Sequence, residues 1–250
     1  MARSGQEGWR RLGLLALDTS RAAWAATHAA LPVVEPLEAT RFAVYLSLRD
    51  RDGRARIGRC VLVMSDAPAL EPLEAAPVLD LGPLGAFDDS GVTTSCLVTV
   101  GRDRFLYYTG WSRGVTVPFY LAAGVAISEN GGPFERWSPA PLLERNAVDP
   151  FLTASPFVLI GHGRWRMRYV SATEWRNTDS GPRHYYHIKY AESADGHARQ
   201  AIHPQYRLVI ESATEAIHGG DQRQPPQQRS GENPRHQEPG EPQIFGTTHT

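Results

Sequence analysis

The chain has 250 residues, 41% of them hydrophobic, with 26 Lys and Arg against 27 Asp and Glu and a formal net charge of −1 at pH 7. That length can bury a sizeable core in one or two domains. The charge balance excludes the strong field that a nucleic-acid, membrane-surface or acidic-ligand partner would require.

Residues 1–9 are polar and expected to fray. Arg10-Arg11 leads only into the short apolar run Leu12 to Leu17, which Asp18 ends. The run is too short for a membrane span and a poor secretory signal, so a soluble, cytoplasmic protein is expected, with these residues as a short strand. The alanine-rich stretch Trp24 to Ala30 reads as a helical turn or as the entrance to a strand. From Leu31 the pattern is β: Leu31 to Val34, then Phe42 to Leu48 with a period of two, then Ile57 to Met64. Asp52-Gly53 between the last two is a hairpin signal, because glycine takes positive φ without steric cost. The proline-rich connection Ala67 to Gly85 carries a short outer strand near Val78.

Strands follow at Thr94 to Val100, Arg104 to Thr109 and Phe119 to Ser128, with an outer strand near Pro141 to Leu143. The next set is Ser155 to Ile160, Trp165 to Val170 and Tyr185 to Glu192, with a polar loop from Thr173 to Arg183. Cys60 and Cys96 fall in separate strands and read as buried thiols, with no disulfide framework, metal-ligand spacing or cofactor motif.

These three sets superpose. Tyr45, Tyr108 and Tyr169 are 63 and 61 residues apart, and Ser65, Ser128 and Ser193 are 63 and 65 apart. Asp89 precedes Cys96 by seven residues, and Asp149 precedes Pro156 by seven. Each unit is a four-stranded antiparallel meander of roughly 60 residues, so the prediction is an all-β propeller with about three blades readable. A β-sandwich would not explain a constant period. The propeller domain spans residues 10–197, and residues 198–250 form a low-complexity tail. Residues 219–243 in particular are crowded with Gln, Pro, Arg, Glu and Gly, too polar to offset their ordering entropy, and disorder is expected there. Three blades leave unpaired edges. A chain truncated by a frameshift or early stop is therefore the favoured expectation, over a natural disordered tail.

Phe-Asp-Asp-Ser-Gly-Val at 87–92, Val-Asp-Pro at 148–150 and Ser-Ala-Asp-Gly at 193–196 resemble the five-bladed β-propeller glycosidases and glycoside phosphorylases. That superfamily includes arabinanases, xylosidases, invertase-like enzymes and mannoside phosphorylases. Arg145 to Pro150 is similar to its Arg-Asp-Pro element, with the arginine displaced by three residues. The resemblance implies a carbohydrate substrate and either hydrolysis or phosphorolysis of a glycosidic bond. That chemistry needs a carboxylic acid to protonate the leaving oxygen and a carboxylate to activate water or attack the sugar. Blade entrances converge on one channel mouth. They nominate Asp89 and Asp149 as catalytic carboxylates, with Asp88 in place of Asp89 if the register slips by one. Two carboxylates that close would raise one another's pKa. Glu174 is the candidate acid. Trp111 and Trp175 would stack on a sugar, and His28, Asp88 and Arg145 would bind its polar groups. Arg113, Arg145 and Arg176 are the possible phosphate donors.

Each residue also has a structural reading. The aspartates suit turns, Glu174 a solvated surface, and the tryptophans inter-blade packing. His184 and His187 alternate as on a strand, without a third metal ligand. One departure matters: the position seven residues before Pro32 is Ala25, where the hydrolases usually carry an aspartate. A sugar-binding propeller without catalysis, or an inactive truncated product, is therefore the alternative.

Overall fold

The computed structural model describes residues 13–197. The frayed N-terminus and the disordered tail predicted above lie outside them. Three antiparallel meanders follow one another. The first comprises β1 (Thr27–Glu38), β2 (Arg41–Arg49), β3 (Ala55–Val63) and β4 (Ala69–Leu70). The second comprises β5 (Gly91–Val100), β6 (Asp103–Arg113), β7 (Phe119–Ser128) and β8 (Glu135–Arg136), and the third β9 (Thr153–Gly161), β10 (Arg164–Thr178) and β11 (Gly181–Ser193). A single parallel pair, Ala55 with Gly91, joins the first two sheets. The outer strands predicted near Val78 and Leu143 exist as bridges, Ile57 with Leu79 and Ala123 with Leu143, beside the shorter β4 and β8. Among the described residues there is no α-helix, and no helix long and apolar enough to cross a membrane.

The local chemistry explains the turns. Asp50 Oδ1 accepts the backbone N–H of Asp52 at 3.0 Å and of Arg54 at 2.9 Å, and Gly53 takes φ +77°. Two expectations are corrected, and one pair of alternatives is decided. Gly13 to Leu17 is irregular rather than a strand. Trp24 to Ala30 is the entrance to a strand and not a helical turn: the chain turns and then enters β1 at Thr27. Ala22 and Ala25 are buried beside Val44, Leu46 and Leu48, and this burial outweighs alanine's helix propensity. The loop expected from Thr173 to Arg183 is instead strand on both sides of a tight turn at Asp179-Ser180, because Trp175 pairs across the ladder with His184 and Thr173 Oγ1 donates to Tyr185 O.

Strand alternation sends neighbouring side chains to opposite faces. Along β6, Leu106 and Tyr108 face the first sheet, packing with Ala43, Tyr45 and Ile57. Phe105 and Tyr107 face the third, packing with Val158, Trp165 and Met167. The same clasp closes both interfaces. The N–H of Thr94 donates to Ser47 Oγ at 2.9 Å, and the N–H of Ser155 donates to Thr109 Oγ1 at 2.8 Å. Successive meanders stacked face to face in this way are blades of a β-propeller.

The clasp also corrects the repeat register. Ser47 matches Thr109, 62 residues later, so Tyr45 matches Tyr107 and not Tyr108. Tyr45 and Tyr108 instead meet in one interface from its two sides. Gly124 sits beneath the Tyr108 ring, where a Cβ would lie 2.4 Å from Cζ. Gly124→Ala is expected to cost about 1–3 kcal/mol through overpacking, read as a lower urea midpoint. An unchanged midpoint would mean the ring is free to move aside.

Candidate functional site

β1, β5 and β9 begin at the end of their sheets where the β2–β3, β6–β7 and β10–β11 turns lie. Contacts tie these ends together. Arg113 Nη2 donates to Asp52 O at 2.6 Å, and Phe119 meets Trp175 edge-on with ring centres 5.5 Å apart. Every candidate residue from the sequence stands near this end, in one of three settings.

Two carboxylates are fully buried. Asp149 Oδ2 accepts from the Tyr169 hydroxyl at 3.2 Å and Asn146 Nδ2 at 3.1 Å, while Oδ1 accepts from Lys189 Nζ at 2.9 Å. Asp88 Oδ2 accepts from the Tyr108 hydroxyl at 3.1 Å and Arg136 Nε at 2.8 Å. In both cases the tyrosine comes 20 residues after the aspartate. Asp88, not Asp89, is therefore the structural counterpart of Asp149. Burial pushes the Asp149 carboxyl up, but the Ser171 hydroxyl, the bonds from Lys189 and Asn146 and the lysine's charge together outweigh it and hold the pKa below the usual value. The mutual raising expected of paired carboxylates is not what this residue experiences. Burial and the adjacent carboxylate drive the Tyr108 and Tyr169 hydroxyls well above the usual range, so both remain donors. The first blade carries neither partner. Ala26 N–H bonds Arg49 O at 2.8 Å as Ser90 N–H bonds Trp111 O at 3.2 Å. This match places Trp24, rather than Ala25, where Asp88 stands. Trp24 packs against the apolar cluster that holds Leu46, the counterpart of Tyr108.

A second group serves the local chain. Asp89 accepts the Gly85 N–H at 3.1 Å and the Ser90 hydroxyl at 2.9 Å. His28 is exposed at φ 61°, its Nδ1 2.8 Å from Thr27 Oγ1. Glu174 pairs with Arg176 at 2.5 Å, whose guanidinium lies 4.7 Å from the centre of the Tyr185 ring. Trp111 lies across Gly91, where any Cβ would come within 2.0 Å of its Nε1. Trp175 packs between blades against Phe119 and His184. Among the described residues, no group of three or more His, Cys, Asp or Glu is gathered to hold a metal.

The third setting is open. A cleft of about 200 Å³ is lined by Phe87, Ser112, Tyr120, Leu121, Ala122, Glu144 and Arg145. The Arg145 guanidinium stands 5.0 Å from the centre of the Tyr120 ring. Arg145 was legible in the sequence beside its Asp-Pro. Ser112, Tyr120 and Glu144 were missed, although Tyr120 follows from the alternation of β7 once its register is known. Arg136 and Lys189 carried no local signal, lying 48 and 40 residues from the aspartates they bind.

No protein-family model matches the chain. It is 41% identical over 189 residues to an uncharacterized protein of Mycobacterium tuberculosis, found alike in strains CDC 1551 / Oshkosh and ATCC 25618 / H37Rv. The match takes in 75% of this chain, which spans 62% of the length of those relatives. Similar solved structures include a sucrose-6-phosphate hydrolase from Lactobacillus gasseri, at 13% identity and TM-score 0.48 over 64% of this chain and 30% of that one. An α-L-arabinanase from Cellvibrio cellulosa is similar at 15% identity and TM-score 0.46, over 72% of this chain and 56% of that one. At such identities and scores no residue role passes from them to this chain.

Proposed function

We propose that this chain is the carbohydrate-binding part of a propeller protein of the glycosidase type, with a sugar ring seated in the Tyr120–Arg145 cleft. One observation carries the reading: an aromatic ring capped by a guanidinium, with Ser112 and Glu144 lining the same cleft. Rings stack on the apolar face of a sugar, and charged groups hydrogen-bond its hydroxyls. The size suits about one ring. The motif resemblance points the same way.

Hydrolysis or phosphorolysis is the second reading. It needs carboxyl groups that reach the bond to be broken. Asp88 and Asp149 are buried under cations and tyrosines, and Glu174 is committed to Arg176. Glu144, exposed at the cleft, is the carboxylate that favours this reading. Binding without cleavage is therefore placed first.

The test is calorimetric titration with a panel of neutral and acidic oligosaccharides, paired with release of chromophore from aryl glycosides. Tyr120→Ala is expected to weaken binding about tenfold, the loss of one stacking contact. Equal affinity in the variant would remove the cleft from consideration. Turnover abolished by Glu144→Gln would put catalysis ahead of binding.

A further inference from the structure

The arginines at the site end of the sheets differ in their commitments. Arg54 and Arg56 pair with Asp50, and Arg176 pairs with Glu174. Arg113 spends one nitrogen on a backbone carbonyl, Asp52 O. Arg145 rests over the Tyr120 ring, and among the described residues no carboxylate lies in salt-bridge range of it. A guanidinium stacked on a ring keeps its in-plane donors free, because the face contact uses the π system and the edge carries five N–H groups. Arg145 is thus held over the Tyr120 ring at the cleft with its fork available. Its strand context reinforces this. Tyr120 pairs with Ser112, and Arg113, which among the described residues also has no carboxylate in salt-bridge range, is the next residue along β6.

From this arrangement, and resting on the reading of the cleft as a sugar site, we infer that the preferred ligand is a sugar bearing an anionic group. Arg145 would grip that group through two parallel N–H···O bonds while Tyr120 and Phe87 contact the ring. A planar fork matches a carboxylate or phosphate in a way that it does not match a lone hydroxyl. Glu144, beside Arg145 in the same cleft, opposes such a ligand by like charge and sets the affinity lower than Arg145 alone would. The two neighbours therefore make opposite predictions.

The experiment is titration calorimetry of the full chain at low salt with methyl glucuronide, glucose 6-phosphate and neutral methyl glucoside. Either or both of the anionic sugars are expected to bind about tenfold or more tighter than methyl glucoside, the size of a hydrogen-bonded charge contact. Glucuronide preferred over the phosphate assigns a uronic acid, and the reverse order a sugar phosphate. Arg145→Gln should bring the anionic-to-neutral ratio close to one, whereas Glu144→Gln should raise it. Both side chains are exposed, so neither change disturbs the core. A ratio near one in the unmodified chain, with methyl glucoside bound and Tyr120→Ala weakening it, overturns the anionic preference and leaves the sugar site standing. No binding of any of the three overturns both.

Discussion

Replacing Lys189 with methionine is expected to lower stability by about 3–5 kcal/mol at pH 7, the usual cost of stripping the partner from a buried charge. Lys189 bonds the Asp149 carboxylate from β11, and its ammonium also reaches the Val148 carbonyl. Methionine keeps most of the stem volume, so the loss falls on the charge and not on packing. The pH dependence separates the two. In the unmodified chain the Asp149 pKa lies below its ordinary 3.8. The depressed value means that this pairing contributes in full above the unfolded pKa and is lost as pH falls through the folded one. In Lys189→Met the burial that pushes the carboxyl up is no longer opposed by the ammonium. The deficit should be largest at neutral pH and shrink as the solution is acidified toward pH 4. Urea denaturation at pH 7 and pH 4.5 reads both effects. A deficit of the same size at the two pH values would mean the lysine acts by packing alone.

The second large effect is expected at Tyr108. Its ring is fully buried between the first two blades, and its hydroxyl bonds Asp88. Tyr108→Ala should cost about 3–5 kcal/mol from lost burial and the cavity left behind. Tyr108→Phe keeps the ring and removes only the donor, for about 1.5–3 kcal/mol, the value of a hydrogen bond to a charged acceptor. Arg136 still faces Asp88 in both variants. If the phenylalanine variant matched the unmodified chain in its denaturation midpoint, the hydroxyl would contribute nothing and the repeated Asp–Tyr pair would be a packing feature only.

The meanders, their turns and even the two outer bridges were legible because alternation and turn chemistry are local. Asp52-Gly53 names its hairpin, and the valines and tyrosines name their strands. What escaped is what bulges and distance control. β5 carries a register shift between Thr94 and Cys96, and β9 is displaced likewise against β10 between Arg168 and Val170. Equal spacing in the sequence thus joined Tyr45 to Tyr108, which face opposite ways. The same slip favoured Asp89, a turn residue, over Asp88. Glu174 and Trp175 were expected beyond their strand because a charged stretch reads as loop, whereas cross-strand aromatic pairing extends β10 to Thr178. The cleft draws on β6, β7 and the chain before Asp149, a combination that no single stretch displays.

The hydroxyl clasp has a consequence for synthesis on the ribosome. Ser47 waits for Thr94, 47 residues later, and Thr109 waits for Ser155, 46 residues later. At elongation rates of about 5–20 residues per second, each nascent blade shows its forward apolar face for some 2–10 seconds before the next can cover it. Blades therefore mature in N-to-C order, each covering the apolar face that the one before it leaves bare.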